Sequence, residues 1–155
     1  MKKIITIFAF FILLSCGFEP IYSKKKIEEN YNFTISSIGF SGNNSVNQNI
    51  KNNLTNNIDN KGKLIKYDLI INSLVNKTIT SKNQKGDPEI FYLEIIINLD
   101  VLENDTLKRK ISLKEGFEYN NKSNKYELKK NEKNIKKNLS LKISKDIVEY
   151  LYSIK

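Results

Sequence analysis

Cys16 is the only thiol in 155 residues, and the chain contains no histidine. These two facts remove most side-chain chemistry. Without His there is no Ser-His-Asp triad, no imidazole proton transfer near neutrality and no His metal ligand. A single Cys cannot close an intrachain disulfide or build a Cys-rich zinc site. The remaining titratable groups are carboxylates and lysines, scattered without a recognisable motif. The inventory points away from an enzyme, with no catalytic residue, no metal and no cofactor implied. Cys16 itself remains, and its position carries information.

Lys2 and Lys3 precede an eleven-residue run, Ile4 to Leu14, that is apolar except for Thr6. A helix needs about 20 apolar residues to span a bilayer, so this run has the length of a signal-peptide core instead. It ends in Leu13-Leu14-Ser15-Cys16, with Leu at −3, a small residue at −1 and Cys at +1. That spacing resembles the bacterial lipobox, in which the thiol is acylated and the bond between Ser15 and Cys16 is cut. The expected organisation is a lipoprotein signal peptide over 1–15, a lipidated N-terminus and tether over 16–30, and a single domain over 31–155. One acyl chain holds a protein only marginally, and lipoproteins of this type carry three, so the anchor is expected to be stable. Gly17 follows the cysteine where Asp would favour inner-membrane retention, which points to the outer membrane.

The net charge is +9, from 26 Lys+Arg against 17 Asp+Glu, and it is +7 once Lys2 and Lys3 are set aside. A basic surface attracts anionic partners such as phospholipid headgroups, phosphorylated glycolipid or nucleic acid. Export and anchoring argue against nucleic acid. The cations are also almost all Lys, with Arg present once, and Lys lacks the bidentate fork used for base recognition. Lys, Asn and Ile dominate the whole chain, so part of this charge reflects compositional bias.

The elements that must carry these groups follow from hydrophobic period. Tyr31, Phe33 and Ile35 alternate, then Ile38 and Phe40, with a slip at Ser36-Ser37 that predicts a β-bulge. Val46, Ile50, Leu54 and Ile58 repeat every four residues, predicting a helix ended by Gly62, with Ser45 and Gln48 as its capping box. Alternation returns through Tyr67, Leu69, Ile71, Ser73, Val75 and Ile79, and again through Phe91, Leu93, Ile95, Ile97, Leu99 and Val101. Asn104-Asp105 predicts a tight turn into a strand through Leu107, Arg109, Ile111 and Leu113, with Gly116 marking a bulge before Phe117 and Tyr119. Ser123 or Asn124 then caps a final helix with Leu128, Ile135, Leu139, Ile143, Ile147, Leu151 and Ile154 along one stripe. Nine lysines between Lys122 and Lys145 make its first part strongly basic. The order β-α-β-β-β-α predicts an α+β two-layer sandwich. Its four-stranded, mostly antiparallel or mixed sheet carries two helices on one face. Alternation does not fix the strand order.

CGFEPIY, directly after the lipobox, resembles the CGF-x-P-[LI]-Y start of the lipopolysaccharide-assembly lipoprotein family LptE, in its alphaproteobacterial form. The element order and domain size are similar to that family's, as is YNNKSNKY (Tyr119 to Tyr126) leading into a long last helix. The final helix departs from the pattern in being Lys/Asn-rich where relatives carry Ala and Arg. The resemblance implies a non-enzymatic outer-membrane lipoprotein, anchored through Cys16, that plugs the LptD β-barrel and assists lipopolysaccharide placement. It makes an LptD-type barrel and lipopolysaccharide the expected partners, the domain lying on the periplasmic side or in the barrel lumen. Candidate contacts to lipid A phosphates are Lys82 and Lys85, or the run Lys108, Arg109 and Lys110. A different periplasm-facing structural or interaction lipoprotein of another envelope complex is the alternative reading.

Overall fold

A computed structural model describes residues 33–57 and 65–154. The elements are β1 (Phe33–Gly42), α1 (Asn44–Asn57), β2 (Ile65–Lys82), β3 (Pro88–Glu103), β4 (Thr106–Asn120) and α2 (Lys125–Ser153). The strands form one sheet in the order β1-β2-β3-β4; β1 runs parallel to β2 and the other neighbours are antiparallel. This is the expected α+β sandwich, and its strand order is the sequential one. Ser15, Cys16, the tether, Tyr31, Ile58 and Gly62 lie outside the described residues.

Alternation decides which sheet face is covered. Tyr67, Leu69, Ile71 and Ser73 of β2 and Leu93, Ile95, Ile97, Leu99 and Val101 of β3 are all at most 2% exposed. They meet Val46, Ile50 and Leu54 of α1 and Leu128, Ile135, Leu139, Ile143, Ile147 and Leu151 of α2. Full burial of one such side chain contributes about 1.5–3 kcal/mol, which is what holds the Asn-rich α1 in a helix.

The predicted bulge in β1 is present: register with β2 shifts between Ile35 and Ser37, leaving Ser36 unpaired. That extra residue keeps Phe33 and Ile35 on the same side as Ile38 and Phe40. Asn104 and Asp105 both take positive φ (51° and 60°), closing the two-residue β3–β4 turn. Asn124 caps α2, its side chain accepting from the Tyr126 and Glu127 amides at 3.0 and 3.3 Å.

Two local expectations are corrected. The cap of α1 is Asn43, whose Oδ1 accepts from the Val46 amide at 3.2 Å; Ser45 lies inside the helix and Gln48 bonds Asn52. The reason is tertiary. Asn43 N–H donates to the Ser73 hydroxyl at 2.8 Å, and Ser73 donates to Asn47 Oδ1 at 2.7 Å. Gly42, at φ 90°, lets the chain turn there, because a Cβ would collide with the Ser73 carbonyl. Gly116 marks no bulge: it pairs in register with Glu94, and the Tyr92 ring lies where its Cβ would be. Glycine here gives an aromatic a place to lie across the sheet. The β4 bulge is at Lys108, between the Val101↔Arg109 and Leu102↔Leu107 pairs.

Candidate functional site

The five basic candidates fall at opposite ends of the sheet. Lys82 closes β2 and Lys85 sits in the following turn, which Asn83 organises by accepting from the Lys85 and Asp87 amides, each at 2.9 Å. Lys108, Arg109 and Lys110 begin β4, next to Val101 and Asp100. Along β2 the two groups are about thirteen residues apart, roughly 40 Å at 3.3 Å per residue. No single small anion bridges them.

Their surroundings differ too. Lys108 is paired with Glu103 at 2.7 Å and Lys110 with Asp100 at 2.9 Å, while Arg109 donates to the Lys108 carbonyl at 3.0 Å. The run is therefore three cations with three separate engagements. Lys82 and Lys85 are in no ion pair among the described residues. A shallow groove next to them is lined by Asn83, Asp87, Pro88, Glu89, Asn121 and Ser123. Its carboxylates, Asp87 and Glu89, disfavour a phosphate inside it. Asn121 ties the groove floor, donating from its backbone to Glu89 O and from Nδ2 to Pro88 O, both at 2.8 Å.

The sheet face away from the helices is only partly polar. Ile70 and Leu74 are about half exposed, and Leu74 lies directly across from Ile96. Lys114–Glu94 and Lys110–Asp100, each at 2.9 Å, balance charge across the same face. The sequence signalled this. Leu69-Ile70-Ile71 and Ile95-Ile96-Ile97 place apolar residues on both sides of their strands, which simple alternation does not require.

Sequence reasoning missed a polar node beneath the first half of α2. Glu132 Oε1 accepts from Lys77 Nζ at 2.6 Å and from the Tyr119 hydroxyl at 2.8 Å. Lys77 Nζ lies 3.9 Å from the Phe91 ring centroid, a cation–π contact, and the Phe91 and Tyr119 rings are 5.6 Å apart. Burial pushes the Glu132 carboxyl up, but the bonds from Lys77 and Tyr119 outweigh it and hold the group below its ordinary value. Burial, and then the bond to Glu132, push the Tyr119 hydroxyl well up. Lys77 and Glu132 are 55 residues apart, so no local pattern joins them. Nothing in this node resembles a reaction centre. Among the described residues no group of three His, Cys, Asp or Glu side chains could hold a metal ion.

No protein-family model and no curated protein sequence matches the chain. Solved structures do. The rare lipoprotein B of Shewanella oneidensis aligns with a TM-score of 0.56 at 13% identity, covering 76% of this chain and 94% of that one. A lipoprotein from Caulobacter crescentus CB15 aligns with a TM-score of 0.56 at 12% identity, covering 84% and 96%. A minor lipoprotein from Acinetobacter baumannii aligns at 0.55 and 11%, covering 78% and 93%. At this identity the likeness shows the fold: the chain shares the architecture of several bacterial lipoproteins over nearly their whole lengths.

Proposed function

We propose that this protein is an outer-membrane lipoprotein that serves as plug and partner of an LptD-type β-barrel and assists lipopolysaccharide placement. The observation that carries the reading is a coincidence of two independent signals. The chain has a lipobox followed by the LptE-like start CGFEPIY. Its domain shares the fold of several solved bacterial lipoproteins, with the element order that the resemblance implies. The domain's role is non-enzymatic, in keeping with the absence of His and of any recognisable catalytic motif.

The open sheet face suits a partner surface. Its half-exposed Ile70 and Leu74 can be buried by a barrel wall, while the paired Lys114–Glu94 and Lys110–Asp100 resemble the polar lining of a barrel lumen. Lys82 and Lys85, at the hairpin tip and in no ion pair among the described residues, are the better placed candidates for a lipid phosphate. Lys108 and Lys110 must first leave their carboxylates. Two measurements test the reading. Palmitate labels the wild type and not Cys16→Ala. The tagged protein, solubilised from outer membrane, co-purifies with a large β-barrel protein. Recovery of the acylated protein alone, free of any barrel, overturns the partner assignment.

A further inference from the structure

Helix α2 presents one continuous outer stripe whose character changes midway. In its first half the stripe is Tyr126, Lys130, Lys133 and Lys137, at three- and four-residue steps and all exposed, with Tyr126 75% exposed. Continued by the same steps it becomes Ser140, Ser144 and Val148, which are buried, and α1 packs on this helix. At 14 residues α1 is about 21 Å long, against about 43 Å for α2, so it accompanies only part of its partner. Among the described residues, the first half of α2 covers the sheet with its inner side and keeps its outer side exposed.

That bare side has one sign of charge. Exposed Lys129 flanks the stripe, and no carboxylate lies along it. Glu132 points inward to Lys77 and Tyr119, and Glu127 is at the rim with Lys122. The adjoining helix α1 contains no acidic residue. None of Lys129, Lys130, Lys133 and Lys137 is in an ion pair among the described residues.

We propose that the outer face of the first half of α2 is a membrane-contact surface that lies on anionic phospholipid headgroups. Lys130, Lys133 and Lys137 supply its charge, with Tyr126 at headgroup depth. A single-sign row of lysines fits a surface of many phosphates, since each ammonium is a point charge that needs no fixed geometry. Tyr favours the boundary between headgroups and acyl chains. The proposal rests on the acyl anchor at Cys16, and not on the barrel partner. Sixteen residues lie between Cys16 and Phe33, enough chain for a maximal reach of about 60 Å. Lying on α2 turns the open sheet face away from the bilayer, so the contact belongs to the anchored domain before it enters a barrel.

The test uses the full chain purified with its acyl chains and reconstituted on vesicles of phosphatidylcholine, with or without phosphatidylglycerol. Lysines are acetylated with a water-soluble reagent and the extent is read by mass spectrometry. Lys130, Lys133 and Lys137 are expected to be protected several-fold on phosphatidylglycerol vesicles, with the protection lost at high salt. Lys51 and Lys66, away from the stripe, label equally on both. In K130E/K133E/K137E the protection of Lys129 is lost while the thermal unfolding midpoint stays unchanged. Association with both vesicles but equal labelling overturns the α2 surface alone. Failure to associate with phosphatidylcholine vesicles overturns the anchor on which it rests. Protection by inorganic polyphosphate or RNA, with none from phosphatidylglycerol, overturns the lipid surface in favour of a soluble polyanion.

Discussion

The two halves of α2 are held to the same sheet by different means. The second half buries Ile143, Ile147 and Leu151 completely and sets Ser140 and Ser144 inside, each hydroxyl bonding the carbonyl four residues back. The first half buries Leu128 and Ile135 less tightly, each at 7%, and places the charged Glu132 between them. Where two helices and a sheet converge, apolar side chains supply most of the packing, and the polar groups among them are small and neutral. Where a single helix covers a long hairpin, a hydrogen-bonded charge between Lys77 and Tyr119 fixes its register. Such a pinned charge gives position more than net stability.

Five substitutions test this contrast. Ile143→Ala removes a fully buried side chain and should cost about 2–5 kcal/mol in denaturant unfolding, with no local signature, because the whole core depends on it. Glu132→Ala should cost less, about 1–3 kcal/mol, by stranding the Lys77 ammonium and Tyr119 hydroxyl. Its effect should be local, with hydrogen exchange rising over Tyr126–Ile135 and Ser81–Ile90 and unchanged over Ile143–Leu151. The same node predicts a pH response. The Glu132 carboxyl is held below its ordinary value of 4.5, so its stabilisation is fully present above that pH. It is lost as pH falls toward the folded value, and Glu132→Gln should flatten that limb of the stability curve. Uniform hydrogen exchange in Glu132→Ala would remove the distinction between the halves.

The smaller tests place one side chain at two points of the same stripe. Ser140→Leu forces a large group between packed elements and should cost about 1–3 kcal/mol. Lys137→Leu, one turn earlier on the bare face, should stay within about 0.5 kcal/mol of wild type. Equal costs would mean that the stripe does not change character between these residues.

What the sequence revealed and what it hid divide along local and long-range lines. The slip at Ser36, the Asn104-Asp105 turn, the Asn124 cap and the apolar stripe of α2 each depend on residues within a turn or two of one another. The misassigned cap did not. Ser45 and Gln48 satisfy the local pattern, but Ser73, 30 residues from Asn43, decides which residue begins the helix. Gly116 misled for a similar reason, since its lack of a side chain answers Tyr92 on the neighbouring strand. The burial of Ser140 and Ser144 has no local signal in the sequence, because only a packed interface gives such small polar side chains a buried use. The candidate cations were legible as charges, and the carboxylates that engage Lys108 and Lys110 were not.

The mixed sheet also has a consequence for how the chain assembles. Partners in β3 and β4 are only three residues apart at Glu103 and Thr106, so that hairpin can close from its turn and extend one pair at a time. Partners in β1 and β2 are 31 or 32 residues apart at every paired position from Phe33 to Gly42. A parallel pair offers no short loop from which to zip, and each contact faces the same closure entropy. The strand nearest the N-terminus therefore joins as a docked edge, arriving with α1 on a meander that local contacts can already have built.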